Sequence, residues 1–239
     1  MKNRFLLFTA LAATVLSLSS CEKDSEGMTR ITYYPTIELE GATTIYVNKG
    51  GEYIEPGYTS FLYGDDVTSQ VQIKNDIDES TSGVYSVTYT TIKNEDGFGV
   101  SATRKVVVLD FSDPIEGVYV VNSAVSFRDY DGTIANFKGN FEVLLISNGD
   151  GTYNISDLFC GWYDQGAGYG SEYACNATMT ISGATVSVDP EDASVPGFGD
   201  TIDELHDASY DVATGTLKYQ ADYAGIMTFN VTLEKQPIE

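Results

Sequence analysis

The segment GIMTFNVTLE, residues 225–234, sets Met227, Phe229, Val231 and Leu233 on one side of an extended chain and Thr228, Asn230 and Thr232 on the other. A period of two with one apolar and one polar side is the signature of a strand with one face in a core. The pattern recurs upstream. GVYSVTYTTI (83–92) sets Tyr85, Val87 and Tyr89 against Ser86, Thr88 and Thr90, and NFEVLLIS (140–147) sets Phe141, Val143 and Leu145 together. Turn signals close these runs: YGDD, NEDGFG and SNGDGT are followed by returning segments such as SATRKVVVLD and YNISDLF. Helix formers do not group at helical spacing beyond the first twenty residues. The 17 Tyr agree with a β-rich chain. An all-β fold is therefore expected. GDTIDELHD (199–207) is expected to make one short helical turn capped by Asp200 or Thr201.

The chain starts differently. MKNRFLLFTALAATVLSLSSC has two basic residues, an apolar run from Phe5 to Leu18, small residues and then Cys21. The run is short for a membrane span and is ordered as a secretory signal is. LSSC (18–21) resembles the lipobox of bacterial lipoproteins. The resemblance implies a signal peptide over 1–20, cleavage before Cys21 and acylation there, with diacylglycerol on the sulfur and palmitate among the acyl chains. CEKDSEG resembles the surface-export signal of Bacteroidetes lipoproteins, which implies an outer-membrane anchor and display towards the cell exterior. Residues 21–30 read as the lipidated Cys and a polar tether.

Two domains are expected, over 31–110 and 111–239, with Asp113–Pro114 at the seam. The first resembles the immunoglobulin-like domains of bacterial surface proteins. The resemblance rests on Pro56, Gly57, Tyr58, Asp66, Val67, Thr68, Gly83, Tyr85, Val87, Tyr89, Asp96, Gly97, Arg104, Val106 and Val108. It implies a two-sheet sandwich and a spacer or adhesive role. The second is expected to be an antiparallel β-barrel or sandwich. Gly161, Trp162, Tyr163, Gly168, Tyr169, Gly170 and Tyr173 give it a resemblance to the C-terminal domain of Bacteroidetes surface lipoproteins, in which Gly-Gly-(Trp/Tyr)-Tyr and Gly-Tyr-Gly segments recur. Cys160 stands where that pattern has Gly. What this resemblance implies is glycan binding in a polysaccharide-utilisation system.

The formal charge is −22, and cleavage before Cys21 would also remove Lys2 and Arg4. Such a surface repels phosphate backbones and argues against a nucleic-acid partner. The expected partners are the membrane, through the anchor, and either a polysaccharide or outer-membrane transporter proteins.

GWYDQGAGYGSEYAC (161–175) is the candidate binding segment. Trp162, Tyr163 and Tyr169 could stack on sugar faces, Asp164 and Gln165 could bind hydroxyls, and Gly166, Gly168 and Gly170 would let the loop approach a ligand. The alternative is that the rings cover one end of the barrel, with Tyr173 inward and Trp162 the more exposed. Cys160 and Cys175 could form a disulfide across the loop, contributing about 3 kcal/mol by chain entropy, or stand as two buried free thiols.

No enzyme is expected. His206 is the only His, no Gly-x-Ser-x-Gly elbow surrounds any Ser, and small β domains offer little depth for a water-excluding pair of carboxylates. No cofactor or metal is expected. DPED (189–192) and GDTIDE (199–204) gather carboxylates without the spacing of an EF-hand. The expected protein is a non-catalytic surface binding module. A structural, adhesion or assembly lipoprotein without a small ligand is the alternative, and a glycoside hydrolase the third.

Overall fold

The computed structural model of the chain describes residues 31–238. Cys21 and the segments assigned to leader and tether lie outside the described residues.

The N-terminal half is a two-sheet sandwich. One sheet contains β1 (Thr36–Leu39), β3 (Tyr58–Leu62) and β4 (Asp65–Asp66). The other runs in the order β2 (Thr44–Asn48), β7 (Ser101–Leu109), β6 (Gly83–Thr90) and β5 (Gln72–Asn75), with β2 parallel to β7 and the rest antiparallel. Val47, Val87, Tyr89, Val106 and Val108 are buried between the sheets, and Ile37, Leu39 and Tyr58 pack against them from β1 and β3.

At the edge of this core lies Arg104, wholly buried on β7. Its guanidinium donates to the carbonyls of Ala42, Glu40 and Gly57, and pairs with Glu55 at 3.3 Å. Glu55 also accepts from the hydroxyls of Tyr53 and Tyr89. A buried cation is tolerated only when its donors are satisfied. Here satisfying them ties the 40–42 turn, the start of β3 and β7 into one unit.

The C-terminal half is an eight-stranded antiparallel barrel. β8 (Gly117–Val121), β11 (Glu142–Ser147), β12 (Thr152–Ile155), β13 (Ala177–Ser182), β14 (Thr185–Val188), β17 (Glu204–Asp211), β18 (Thr216–Tyr223) and β19 (Met227–Lys235) each pair with the next in the chain, and β19 returns to β8. Short β15 (Ser194–Val195) and β16 (Asp200–Thr201) pair in the long β14–β17 connection. Alternation decides which way each strand faces: Ala177, Met179 and Ile181 are buried while Thr178, Thr180 and Ser182 are exposed. β19 serves two neighbours. Its last residues close the barrel on β8, and Met227–Asn230 pair with β9 (Phe127–Tyr130), whose hairpin with β10 (Thr133–Asn136) extends the wall at one mouth.

The helical turn expected at 199–207 is replaced by β16 and the start of β17. Leu205 is in register with Ala221; Asp200, one of the two cap candidates, accepts from Tyr223 Oη at 2.8 Å, and Asp203 accepts from the Gly225 amide at 2.7 Å. Ladder pairing with β15 and β18 outweighs one turn of local capping.

Three strands break alternation, being apolar on both faces. In β7, Val106 and Val108 face the sandwich core while Val107 and Leu109 face outward. In β8 and β11, Tyr119, Val121, Val143 and Leu145 line the barrel while Val118 and Leu144 face out. These outward residues, with Tyr46 and Ile146, form one cluster between sandwich and barrel. Tyr46 also donates to Glu142 at 2.8 Å. Leu144→Ala should lower stability by about 2–3 kcal/mol in chemical denaturation, the cost of a cavity in packed apolar surface. Thr178→Ala, on the exposed barrel wall, should change it by less than about 0.5 kcal/mol.

Candidate functional site

The aromatic segment sits over the barrel mouth that β9 and β10 extend. It is fixed there by Asp157, a carboxylate buried just after β12. Asp157 accepts from the amides of Phe159 and Cys175 at 2.8 Å each and of Gly161 at 2.6 Å. It thereby clips the outgoing turn to the chain entering β13. Burial pushes its carboxyl up to about 6 from the ordinary 3.8, against the pull of those three amides.

The turn then bends sharply. Cys160 (φ +50°) and Gly161 (φ +77°) are both left-handed, and a wide helical turn, Trp162–Gly166, follows with i→i+5 bonds from Gly166 N to Gly161 O (2.7 Å) and from Ala167 N to Trp162 O (3.0 Å). A left-handed φ is a natural place for Gly, as the resembled pattern has at this position; Cys160 adopts the same conformation without being Gly. Gly161 and Gly166 are needed for a close approach, but to the protein itself. A Cβ at Gly161 would stand 2.5 Å from Phe141 Cβ, and one at Gly166 2.9 Å from Phe141 Cζ. Gln165 completes the clamp, donating to Glu142 O at 2.8 Å and accepting from Glu142 N at 3.2 Å. Both ends of its amide are occupied by backbone.

The rings divide into a buried layer and a displayed one. Phe159 stacks on Phe229 at 4.5 Å inside the barrel. Trp162, half-buried, stands edge-on to Phe137 (5.0 Å) and Phe229 (6.0 Å). The ordering expected for Trp162 and Tyr173 is therefore not found: both are half-buried, and the ring left outside is Tyr169, 56% exposed. Tyr169 stacks on Tyr163 at 6.2 Å and 18° between planes. Phe198, 44% exposed, stands edge-on to both Tyr163 and Tyr173. Asp164 lies away from this group, on a cleft of about 610 Å³ between the domains that Lys105 and Glu142 also line.

Two residues of the site were not singled out by sequence reasoning. Phe198, distant in sequence, completes the ring group. Arg128 on β9 lies with its guanidinium 4.7 Å from the Trp162 ring and 5.5 Å from the Tyr130 ring. A basic residue among the polar positions of an acidic hairpin gives no sequence signal that it faces a Trp.

Cys160 and Cys175 are free buried thiols, the second of the two arrangements left open by sequence. Cys160 Sγ lies 3.0 Å from Tyr219 Oη, which donates to Leu158 O. Burial raises both thiols well above their ordinary range, leaving them protonated and unreactive. His206, on β17, is 3.3 Å from both Asp207 and Asp222. In the DPED segment, Asp189 caps a single 3₁₀ turn by accepting from Glu191 N at 3.0 Å.

Residues 37–108 match the family model of the bacterial surface protein Ig-like domain, and residues 108–235 match a model described as a C-terminal domain. The crystal structure of the lipoprotein BT2262 from Bacteroides thetaiotaomicron superposes with a TM-score of 0.75 at 35% identity, over 84% of this chain and 100% of that one. The chain belongs to the BT2262-like lipoprotein family. The superposition over 84% of the chain takes in both the sandwich and the barrel, and a surface domain in a lipoprotein relative is consistent with a cell-surface location. The matched descriptions name surface and lipoprotein character and no reaction. No curated protein matches the chain.

Gly161→Ala should lower stability by about 2–4 kcal/mol, combining a strained φ with the clash against Phe141; thermal unfolding reads it. For Asp157 the sign of the pH dependence is set by its raised folded value. Between about pH 4 and 6 the folded state binds more protons than the unfolded one, so this group's contribution is greatest below the unfolded value and is lost as pH rises through 6. Asp157→Asn should therefore cost more at pH 4 than at pH 7, as urea midpoints compared at the two values would reveal.

Proposed function

We propose that the protein is a non-catalytic binding module, anchored by lipid at Cys21 on the outer membrane and facing the exterior, that holds a glycan against the rings at the barrel mouth. The observation that carries this reading is the group formed by Tyr163, Tyr169 and Phe198, displayed over a barrel whose interior is filled by its own side chains. Planar rings at an open rim stack on the apolar faces of pyranose rings. An open rim buries little of its ligand, so affinity per site is weak and selectivity comes from a few polar groups around the rings. Trp162 supports the rim from below as much as it contacts a ligand, and Gln165 holds its shape.

A second reading, an assembly lipoprotein without a small ligand, draws on the sandwich. Tyr33, Tyr34, Tyr63 and Phe98 are each about half exposed, with Tyr33 against Tyr63 at 5.3 Å and Tyr34 against Phe98 at 5.5 Å. Exposed apolar groups of this kind suit a protein partner.

Tyr169→Ala separates the readings. On the first, it should abolish retardation of the protein in native gels cast with the bound polysaccharide, while shifting the melting temperature by no more than about 1–2 °C, as expected at an exposed position. Unchanged retardation would count against the rim. Trp162→Ala is the poorer test, because loss of its contacts to Phe137 and Phe229 should itself cost about 2–4 kcal/mol.

A further inference from the structure

Past Pro114 the only Lys and Arg residues are Arg128, Lys138, Lys218 and Lys235, in a chain of net charge −22. Two of the four meet at Trp162. Arg128 shares a face with Phe229, its register partner on β19, and so points over the barrel mouth, where its guanidinium covers the Trp162 ring. Lys138, exposed, lines a small cleft of about 110 Å³ with Phe141, Trp162, Gly166 and Ala167. Lys235, by contrast, is committed to Asp113 O at 2.8 Å.

The guanidinium is held but not neutralised. No carboxylate forms an ion pair with Arg128 among the described residues, and its Nε is buried without a hydrogen-bond partner. Stacking against Trp162 and Tyr130 fixes its plane, and it gives one hydrogen bond to the Tyr163 side chain. An Arg fixed in this way beside displayed rings, with donors beyond the one given to Tyr163, is arranged to take a planar anion in two parallel hydrogen bonds.

We propose that the barrel mouth selects a sugar bearing a carboxylate, a uronic-acid residue, which Arg128 grips while Lys138 adds charge from the small cleft beside Trp162. This rests on the glycan reading above and gives it a substrate class. A long polyanion lying along the surface would be repelled by the acidic protein, so the site suits a short segment or chain end.

The test is calorimetric titration of the mature chain, with Cys21→Ser used to give an unlipidated form, against trigalacturonate and against maltotriose as its neutral counterpart. Trigalacturonate should bind at least tenfold tighter than maltotriose. Arg128→Gln should remove that preference, Arg128→Lys should restore part of it, and Lys138→Gln should reduce it about two- to threefold. Trp162 fluorescence checks that the mouth stays folded in each variant, and the acid-to-neutral ratio is a readout that loss of packing alone would not move. Tyr169-dependent binding of both trisaccharides without discrimination, or discrimination that survives Arg128→Gln, would overturn the assignment and leave the glycan reading standing. Binding of neither sugar, with a broad panel of neutral and acidic polysaccharides also failing in native gels, would overturn both.

Discussion

An eight-stranded barrel encloses room for its own side chains or for one small ligand, and here the side chains take all of it. Tyr119, Val143, Leu145, Ile155, Phe159, Met179, Leu217, Tyr219, Phe229 and Leu233 leave the interior packed from one end to the other. The rest of the molecule follows from that. Contact with anything else has to be made at a mouth or on the outer wall. One stretch of wall is already covered by the sandwich, and one mouth carries the aromatic turn. The Asp157 carboxylate matters because a displayed turn has no ladder of its own: three amide hydrogen bonds from one buried group replace the pairing that a strand would have supplied.

The covered wall has its own logic. Where β7 meets β8 and β11, each strand is apolar on both faces, so β11, whose Phe141, Val143 and Leu145 side matches a half-buried strand in sequence, is covered on its other side as well. Each is buried twice, once in its own domain and once in the seam between them. Val107, Leu109, Val118 and Leu144 are wholly or almost wholly buried, which makes the junction a packed interface and not a loose linker. The position of Tyr46 against Glu142 carries this contact to the base of the aromatic turn, since Glu142 is also the residue that Gln165 grips.

Sequence reasoning reached the all-β class and the faces of β6 and β19 because these depend on local alternation, and it reached the sandwich through the resemblance to immunoglobulin-like domains. Tyr85, Val87 and Tyr89 share a face in the structure as they do on paper. What it could not reach depended on contacts between distant segments. The stretch around His206 looked helical because the ladder partner of Leu205 lies sixteen residues away at Ala221. Gly166 looked like room for a ligand, yet the atoms close to it belong to Phe141. Trp162 was expected to be more exposed than Tyr173, but its partners Phe137, just past β10, and Phe229 on β19 are announced by nothing near position 162. Tyr169 and Phe198, the most exposed of the ring group, are brought together by the path of two loops, and sequence carries no period for that.

The two thiols under the turn have a consequence for where such a mouth can work. Because Cys160 and Cys175 are unpaired, sealed from solvent and held protonated, the shape of the rim owes nothing to a covalent cross-link. Redox poise of the surroundings then drops out as a variable: the same arrangement of rings persists in an oxygen-free, thiol-rich medium and in air.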